Sequence, residues 1–471
     1  MCTAQLQLLG THWHSRAKAK GGTYHYVSML TMVNYTRIIA MARYTLPLVG
    51  LTIAVSGCVV TSGRLDPTNE LAASQVKPGI TVLLGDSMEL IRGKRIGLLT
   101  NQTGVNEKGE SDIDLLRSTR AKRANVNLTV LFSPEHGIRG TEDRENISNT
   151  VDQKSGLPIV SLYGAQTIAP PDSEMQKIDA LVFDLQDIGT RTWTYVGAMI
   201  YSMRAAARTG KMIIVLDRPN PLSGFFVEGP MLDSSLANPN DPTPERAGQA
   251  YALYPMPLRH GLTIGEMASF YNETLKINAN LRVVPMRDWH RELWFDRTGL
   301  PWVRPSPNMP TLQSAMLYPG LVAFEASNLS VGRGTPSAFQ LIGAPWLKAE
   351  ETVALLRNRD LRGVRFLVEE FTPQSPTDGK FAGQRVRGIR MLVTNRNSMQ
   401  PSRIGASLLW AINKTSGADL KINDRSFDLR FGSPRIREAL MRGDDPDATI
   451  DSELRAAFDF RDRTRRYLLY Q

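Results

Sequence analysis

The sequence predicts an α/β fold built on a parallel sheet, and three observations carry that prediction. Four short runs rich in Val, Ile and Leu, at 95–100 (RIGLLT), 128–132 (LTVLF), 180–185 (ALVFDL) and 212–217 (MIIVLD), are each bounded by turn residues. Buried parallel strands read in this way, as continuous apolar runs and not as alternation. Segments with helical character, 111–119 and 192–209, lie between them. Strand and helix in alternation give a parallel sheet with helical crossovers. A second α/β or α+β region begins near 300, after Pro301, Pro305, Pro307 and Pro310.

The amino terminus precedes that body and differs from it in charge. The chain has 471 residues and a formal net charge of +10, from 56 Lys and Arg against 46 Asp and Glu. Residues 1–57 hold five of the basic residues (Arg16, Lys18, Lys20, Arg37, Arg43) and no acidic one. The remainder therefore carries 51 against 46, or +5. So small and dispersed an excess is not a nucleic-acid footprint. Residues 45–57 (TLPLVGLTIAVSG) follow Arg43 and end in small residues. This stretch is too short to span a bilayer as a helix and reads as a secretory signal peptide. It meets Cys58 in Val55-Ser56-Gly57-Cys58, a pattern similar to the bacterial lipobox, in which the Cys becomes a lipidated first residue. Met41 is a natural start for such a signal, so residues 1–40 read as an over-extended start. The expected organisation is a signal over 1–57, a lipidated tether over 58–78, one domain over 79–299 and a second over 300–471. The expected location is the cell envelope, on an outer membrane facing the periplasm, because Val59 and not Asp follows Cys58.

The elements of the body follow in order. The helix of 192–209 should stop at Gly210, a suitable C-terminal cap. Residues 233–247 (DSSLANPNDPTPERA) must form a loop. Thr263 and Glu266 make a capping box ahead of an apolar run. The basic tail 461–467 reads as a solvated face. Apolar residues at 42% and charged residues at 22% belong to an ordinary folded chain and exclude disordered or fibrous classes.

Ligands of open parallel sheets bind beyond the carboxyl ends of the strands. Asn101 and Gln102 follow the first run; Ser133, Glu135 and His136 follow the second. Asp184, Gln186 and Asp187 close the third, and Asp217, Arg218 and Asn220 the fourth. Turn chemistry explains any one of these clusters, but four on one rim point to a site. No G-x-S-x-G elbow, Walker loop or strand-linked G-x-G-x-x-G is present. The only Cys are Cys2 and Cys58, and the body's only His are His136, His260 and His290. Glu135 and His136 with Asp184 or Asp187 make a weak metal set, so no metal and no cofactor is expected. His260 and His290 read as structural. What the rim offers is carboxylates, which suit glycoside hydrolysis: one protonates the leaving oxygen while another stays charged. Tyr163, Trp193 and Tyr195 are available to cover a sugar face, although core packing is the commoner fate of such rings.

GLLTNQTGV (97–105), LFSPEHGIRG (131–140), LVFDLQDIGTRTWTY (181–195) and VLDRPNPLSG (215–224) occur in this order. VEGP (227–230), YPMPLRHGLTIGEMA (254–268), SPNMPTLQSAMLYPGLVAFEASNLSVGRGT (306–335) and IGAPWL (342–347) follow. The chain from about 79 to 470 thereby resembles the exo-β-N-acetylmuramidase family of bacterial peptidoglycan recycling. The resemblance implies a Rossmann-like N-terminal domain, a smaller C-terminal domain and a cleft between them. It implies release of β-1,4-linked N-acetylmuramic acid from the non-reducing end of wall fragments, with peptidoglycan saccharides as partners. It marks Glu135 as the favoured catalytic carboxylate, with His136 beside it. It also marks Asp184, Gln186, Asp187, Arg191 and Tyr195, then Asp217, Arg218 and Asn220, then Asn308, Glu325, Asn328 and Arg333. Asp187 ranks first as the second catalytic group, because it lies in a Gly-terminated turn. The lactyl carboxylate of the substrate wants a guanidinium, and Arg139, Arg191, Arg218 and Arg333 lie inside the motifs. The 233–247 insertion is longer than the resemblance leads one to expect. A muropeptide-binding lipoprotein without catalysis, or a metal-dependent amide hydrolase, is the competing reading.

Overall fold

A computed structural model describes residues 75–139, 148–162, 168–238 and 252–471. Cys58, the signal peptide and nearly all of the expected tether lie outside the described residues, as do Tyr163 and most of the 233–247 insertion. Ahead of the expected domain start, Val76 is already buried and Lys77 bridges to Arg287.

Six parallel strands form the first sheet: β1 (Arg95–Thr100), β2 (Asn127–Ser133), β4 (Pro158–Ser161), β5 (Ala180–Asp184), β6 (Met212–Leu216) and β9 (Asn280–Val284). The two-residue β3 (Thr150–Val151) adds an antiparallel edge. The order is β3-β4-β2-β1-β5-β6-β9. Counting the parallel strands alone in chain order gives 3-2-1-4-5-6, the Rossmann arrangement, with its switch point between β1 and β5. The pleat sends alternate side chains to opposite faces. Leu99, Val130, Leu181 and Phe183 enter one core; Ile96, Leu98, Leu128 and Val182 enter the other. Central strands covered on both faces need apolar residues at every position, which is why these runs do not alternate.

The helix Tyr195–Thr209 ends at Gly210 in the left-handed region, φ 67°, and the capping box of Thr263 and Glu266 opens the helix Ile264–Thr274. The expected 111–119 helix is instead two short ones, Asp112–Leu115 and Thr119–Arg123. Ser118 starts the second by accepting from the Ala121 amide, so the chain is re-capped where one helix was expected to run on. β7 (Glu228–Met231) and β8 (Pro257–Arg259) form a small antiparallel pair. The C-terminal part holds β10 (Leu341–Gly343), β11 (Val364–Phe371) and β12 (Val386–Val393) in an antiparallel sheet of order β10-β12-β11. The helices Leu312–Leu321, Ala349–Arg357 and Pro401–Ser416 accompany it. Of the two expectations, α/β or α+β, this half is α+β.

Candidate active site

Residues Thr100 of β1 and Asp184 of β5 are paired in register, so their strand ends meet at the switch point. Glu135 stands on the turn after β2. Gly137 donates its amide to the Pro134 carbonyl, and both His136 (φ 70°) and Gly137 (φ 71°) are left-handed. A non-glycine residue held there costs of order 1 kcal/mol or more and is found where a turn is over-determined. The Glu135 side chain is half-buried, and Thr194 Oγ1 donates to its Oε2 at 2.5 Å. Thr194 occupies the N-cap position of the 195–209 helix, but its side chain makes no capping bond there. His136 is buried beside Glu135.

Below this surface lies a brace of tied polar groups. The Tyr195 hydroxyl accepts from Asn101 Nδ2 (2.8 Å) and donates to the Pro305 carbonyl (2.6 Å). Burial first, and the Glu135 carboxylate second, hold this phenol far above its ordinary pKa. It is a neutral strut. Trp193 is also buried, edge-on to Tyr195 (5.4 Å) and Tyr318 (5.9 Å). Both rings pack the core, so neither covers a sugar in this arrangement.

The Arg218 guanidinium engages both oxygens of the buried Asp184 and donates to the Val105 carbonyl at 2.9 Å. Asp112, absent from the expectations, is fully buried beside them. Burial, then the Asp184 charge, push its carboxyl well above the usual range. Asp217 accepts from Tyr470 Oη (2.6 Å), Thr263 Oγ1 (2.8 Å) and the Gly265 amide (2.8 Å). Burial, then Glu266, push it up to about 7. Asn220 closes an Asx turn onto Leu222 and donates to the Leu262 carbonyl; Gln186 donates to the carbonyls of Asp187 and Pro219.

Asp187 is different. Its Oδ2 accepts from the Gly189 amide at 2.6 Å, while its buried Oδ1 has no partner among the described residues. His260 Nδ1 accepts from the Leu262 amide at 3.1 Å, which leaves the proton of the neutral ring on Nε2. That Nε2 faces Asp187 Oδ2 at 3.4 Å. His260 is thus a second-row neighbour of the site, and spacing alone gave no signal for it, because 73 residues separate the pair.

The four arginines part company. Arg139 pairs with Asp152. Arg191 donates to the carbonyls of Leu429 (3.0 Å) and Arg430 (2.8 Å), capping the helix Asp424–Phe431. Arg218 is committed to Asp184. Arg333 donates through Nε to Glu325 Oε1 (2.7 Å) and through Nη1 to Thr377 (3.2 Å), with 21% of its side chain exposed. Arg430 lies 3.7 Å from Glu325 Oε2, and Lys380 Nζ donates to the carbonyls of Glu325 and Leu329. Glu325 is thereby ringed by three cations, two of which the sequence did not single out. Asn308 is buried, near Ser306. Asn328 latches onto Asp419 and Lys421.

These features define a two-domain α/β protein with a Rossmann-ordered sheet, no nucleotide-binding loop, and a carboxylate on the switch-point rim. The chain belongs to the exo-β-N-acetylmuramidase NamZ family: its N-terminal domain matches over residues 96–313 and its C-terminal domain over 316–470. It is 39% identical over 412 residues to the peptidoglycan β-N-acetylmuramidase NamZ of Bacillus subtilis (strain 168), covering 87% of this chain and 95% of that protein. Two Bacteroides fragilis crystal structures of the DUF1343 family share the fold. One has a TM-score of 0.73 at 32% identity and the other 0.66 at 27%; each similarity covers 84% of this chain and 99% of the other.

Proposed function

We propose that the protein is an exo-acting glycoside hydrolase that releases β-1,4-linked N-acetylmuramic acid from the non-reducing end of peptidoglycan fragments. The observation that carries this reading is Glu135. It is the one carboxylate of the four-cluster rim that stands half-buried on a strained turn, oriented through a single oxygen by Thr194. Asp184 and Asp217 are consumed by the brace. In the reaction one water is used: its oxygen bonds to the anomeric carbon as the glycosidic bond breaks, and the leaving oxygen keeps a proton. Glu135 supplies that proton. Asp187, with its unpartnered Oδ1 and His260 behind it, is the favoured second carboxylate. Among the described residues, Arg333 is the motif arginine that pairs with a partly exposed carboxylate next to further cations, so it is the favoured clamp for the lactyl group.

Product analysis on N-acetylmuramic acid linked β-1,4 to N-acetylglucosamine tests the activity. Free N-acetylmuramic acid is expected, and a disaccharide with N-acetylglucosamine at the non-reducing end should be cleaved about tenfold to a hundredfold more slowly. Equal turnover of both would remove the case for the clamp, and binding without any product would leave only a muropeptide-binding protein.

The signal peptide over 1–57 and a lipid on Cys58 make the proposed location the cell envelope, on an outer membrane facing the periplasm. No helix among the described residues is long and apolar enough to cross a membrane. Cys58→Ala should leave the protein unlipidated and soluble. Radiolabelled fatty acid on that variant would end the proposal.

A further inference from the structure

Thr194 stands where a threonine normally serves its own helix. It is one residue ahead of the helix Tyr195–Thr209, at the N-cap position, from which a threonine hydroxyl usually accepts from an amide of the first turn. No such bond forms. Thr194 has φ −71° and ψ −17°, already helical, whereas capping residues are usually extended. In a helical backbone the other local outlet for the hydroxyl is a carbonyl three or four residues back. A hydroxyl has one proton to give, and Thr194 gives it to Glu135 Oε2, 59 residues away in sequence. Both local bonds are forgone for one long-range contact.

The neighbours of Thr194 hold it in place. Trp193 on one side is buried, ties its amide to the Thr190 carbonyl at 2.9 Å and meets Tyr195 and Tyr318 edge-on. Tyr195 on the other side is buried, and its hydroxyl is fixed at both ends, by Asn101 and by the Pro305 carbonyl. Thr194 between them is only half-buried. The backbone that carries its hydroxyl cannot shift without disturbing both rings. The aromatic residues on either side, which cover no sugar here, therefore have a use: they fix the donor that faces Glu135.

We infer that Thr194 is the positioning residue of the catalytic acid: by donating to Oε2 it places the transferable proton of Glu135 on Oε1 and aims it at the leaving oxygen. The inference rests on the muramidase reading and adds to it the atom that delivers the proton. A protonated carboxyl accepts at its carbonyl oxygen and carries its hydrogen on the other. In the cleavage step the Oε1–H bond breaks and the proton goes to the glycosidic oxygen, as the bond from that oxygen to the anomeric carbon breaks. Glu135 is left as a carboxylate. The Thr194 bond to Oε2 then becomes charge-assisted, and stronger than before. Thr194 also opens the helix, so the partial positive charge of the helix N-terminus adjoins the new carboxylate. An interaction that strengthens on the way to the transition state raises kcat and leaves KM alone.

Thr194→Val keeps the shape and removes the hydroxyl. On the disaccharide of N-acetylmuramic acid and N-acetylglucosamine its kcat should fall by about tenfold or more, the effect of one lost bond to a charged group, with KM unchanged. Thr194→Ser should restore most of the rate. The loss should shrink with an activated aryl leaving group, which needs little protonation. Added to Glu135→Gln, Thr194→Val should cost little more, because the two residues act as a unit. If Thr194→Val does not fold, Thr194→Ala set against Thr194→Ser reads the same loss. A folded Thr194→Val with near-normal kcat, a Thr194→Ser as slow as Thr194→Val, or losses that multiply in the double variant would overturn the inference and leave the muramidase reading standing. No release of N-acetylmuramic acid by the unaltered protein would overturn that reading, and the inference with it.

Discussion

Glu135 and Asp184 are both carboxylates at strand ends, yet their surroundings make them different instruments. Asp184 meets a guanidinium and a neighbouring buried acid, so both its oxygens are spent on architecture. Glu135 meets one hydroxyl and keeps a solvent-reachable face. Glu135→Gln keeps the size and the Thr194 contact but removes the transferable proton. Turnover of the natural disaccharide should fall by at least about a hundredfold, the usual scale for general acid catalysis. The loss should be smaller with an activated aryl leaving group, which needs little protonation. A folded Glu135→Gln enzyme with near-normal disaccharide cleavage would move the acid role to Asp187.

At the scale of elements, the turn after β1 shows how tightly the rim is built. A Cβ on Gly104 would collide with Thr100 Oγ1 and with the Asp112 carboxylate. Asp112 cannot retreat, since it is packed against Asp184 and Arg218. Gly104→Ala should therefore destabilise the fold by about 1–3 kcal/mol, the usual cost of overpacking. Thermal unfolding would show this as a lower midpoint, and an unchanged midpoint would mean the turn can shift. Much of this level was legible in the sequence. The four apolar runs became β1, β2, β5 and β6 to within a residue at each end, because strands buried on both faces are written as unbroken apolar stretches. Thr263, Glu266 and Gly210 gave their caps away because capping needs those side chains at fixed spacing. What the sequence could not say was which rim residues look outward. Asp184, Gln186, Asp217 and Asn220 have the composition of a binding site but face inward, and only long-range partners decide that. Asp112 was missed, and the place of His260 behind Asp187 was not foreseen, for the same reason: Asp112 lies beside Asp184 and His260 beside Asp187 across 72 and 73 residues.

For the whole molecule, buried acids set the response to pH. Asp217 is pushed up to about 7, and burial also raises Asp112, Glu228 and Glu266. Between the ordinary carboxyl pKa of 3.8 and about 7 the native state binds the Asp217 proton and the unfolded chain does not. The unfolded state then holds fewer protons, so stability falls as pH rises through that window. Asp179, held at about 2 by Arg95, acts oppositely but only at lower pH. Asp217→Asn removes this contribution. Its stability should decline less than that of the unaltered protein across the window, by an amount on the order of a few kcal/mol. Denaturant titrations that run parallel for the two proteins would refute the assignment.

The grip of Arg191 on the Leu429 and Arg430 carbonyls has a bearing on how the protein is made. The turn that carries Asp187 is fastened to a helix 238 residues further along the chain. Contacts so remote in sequence close late, since the chain must first lose the entropy of a long loop. A ribosome that has finished the parallel sheet has therefore not yet made this fastening, nor the residues of the C-terminal half that share the sheet's larger core. The turn proposed to carry the second carboxylate gains this fastening only after the C-terminal helices emerge and dock, late in the making of the chain.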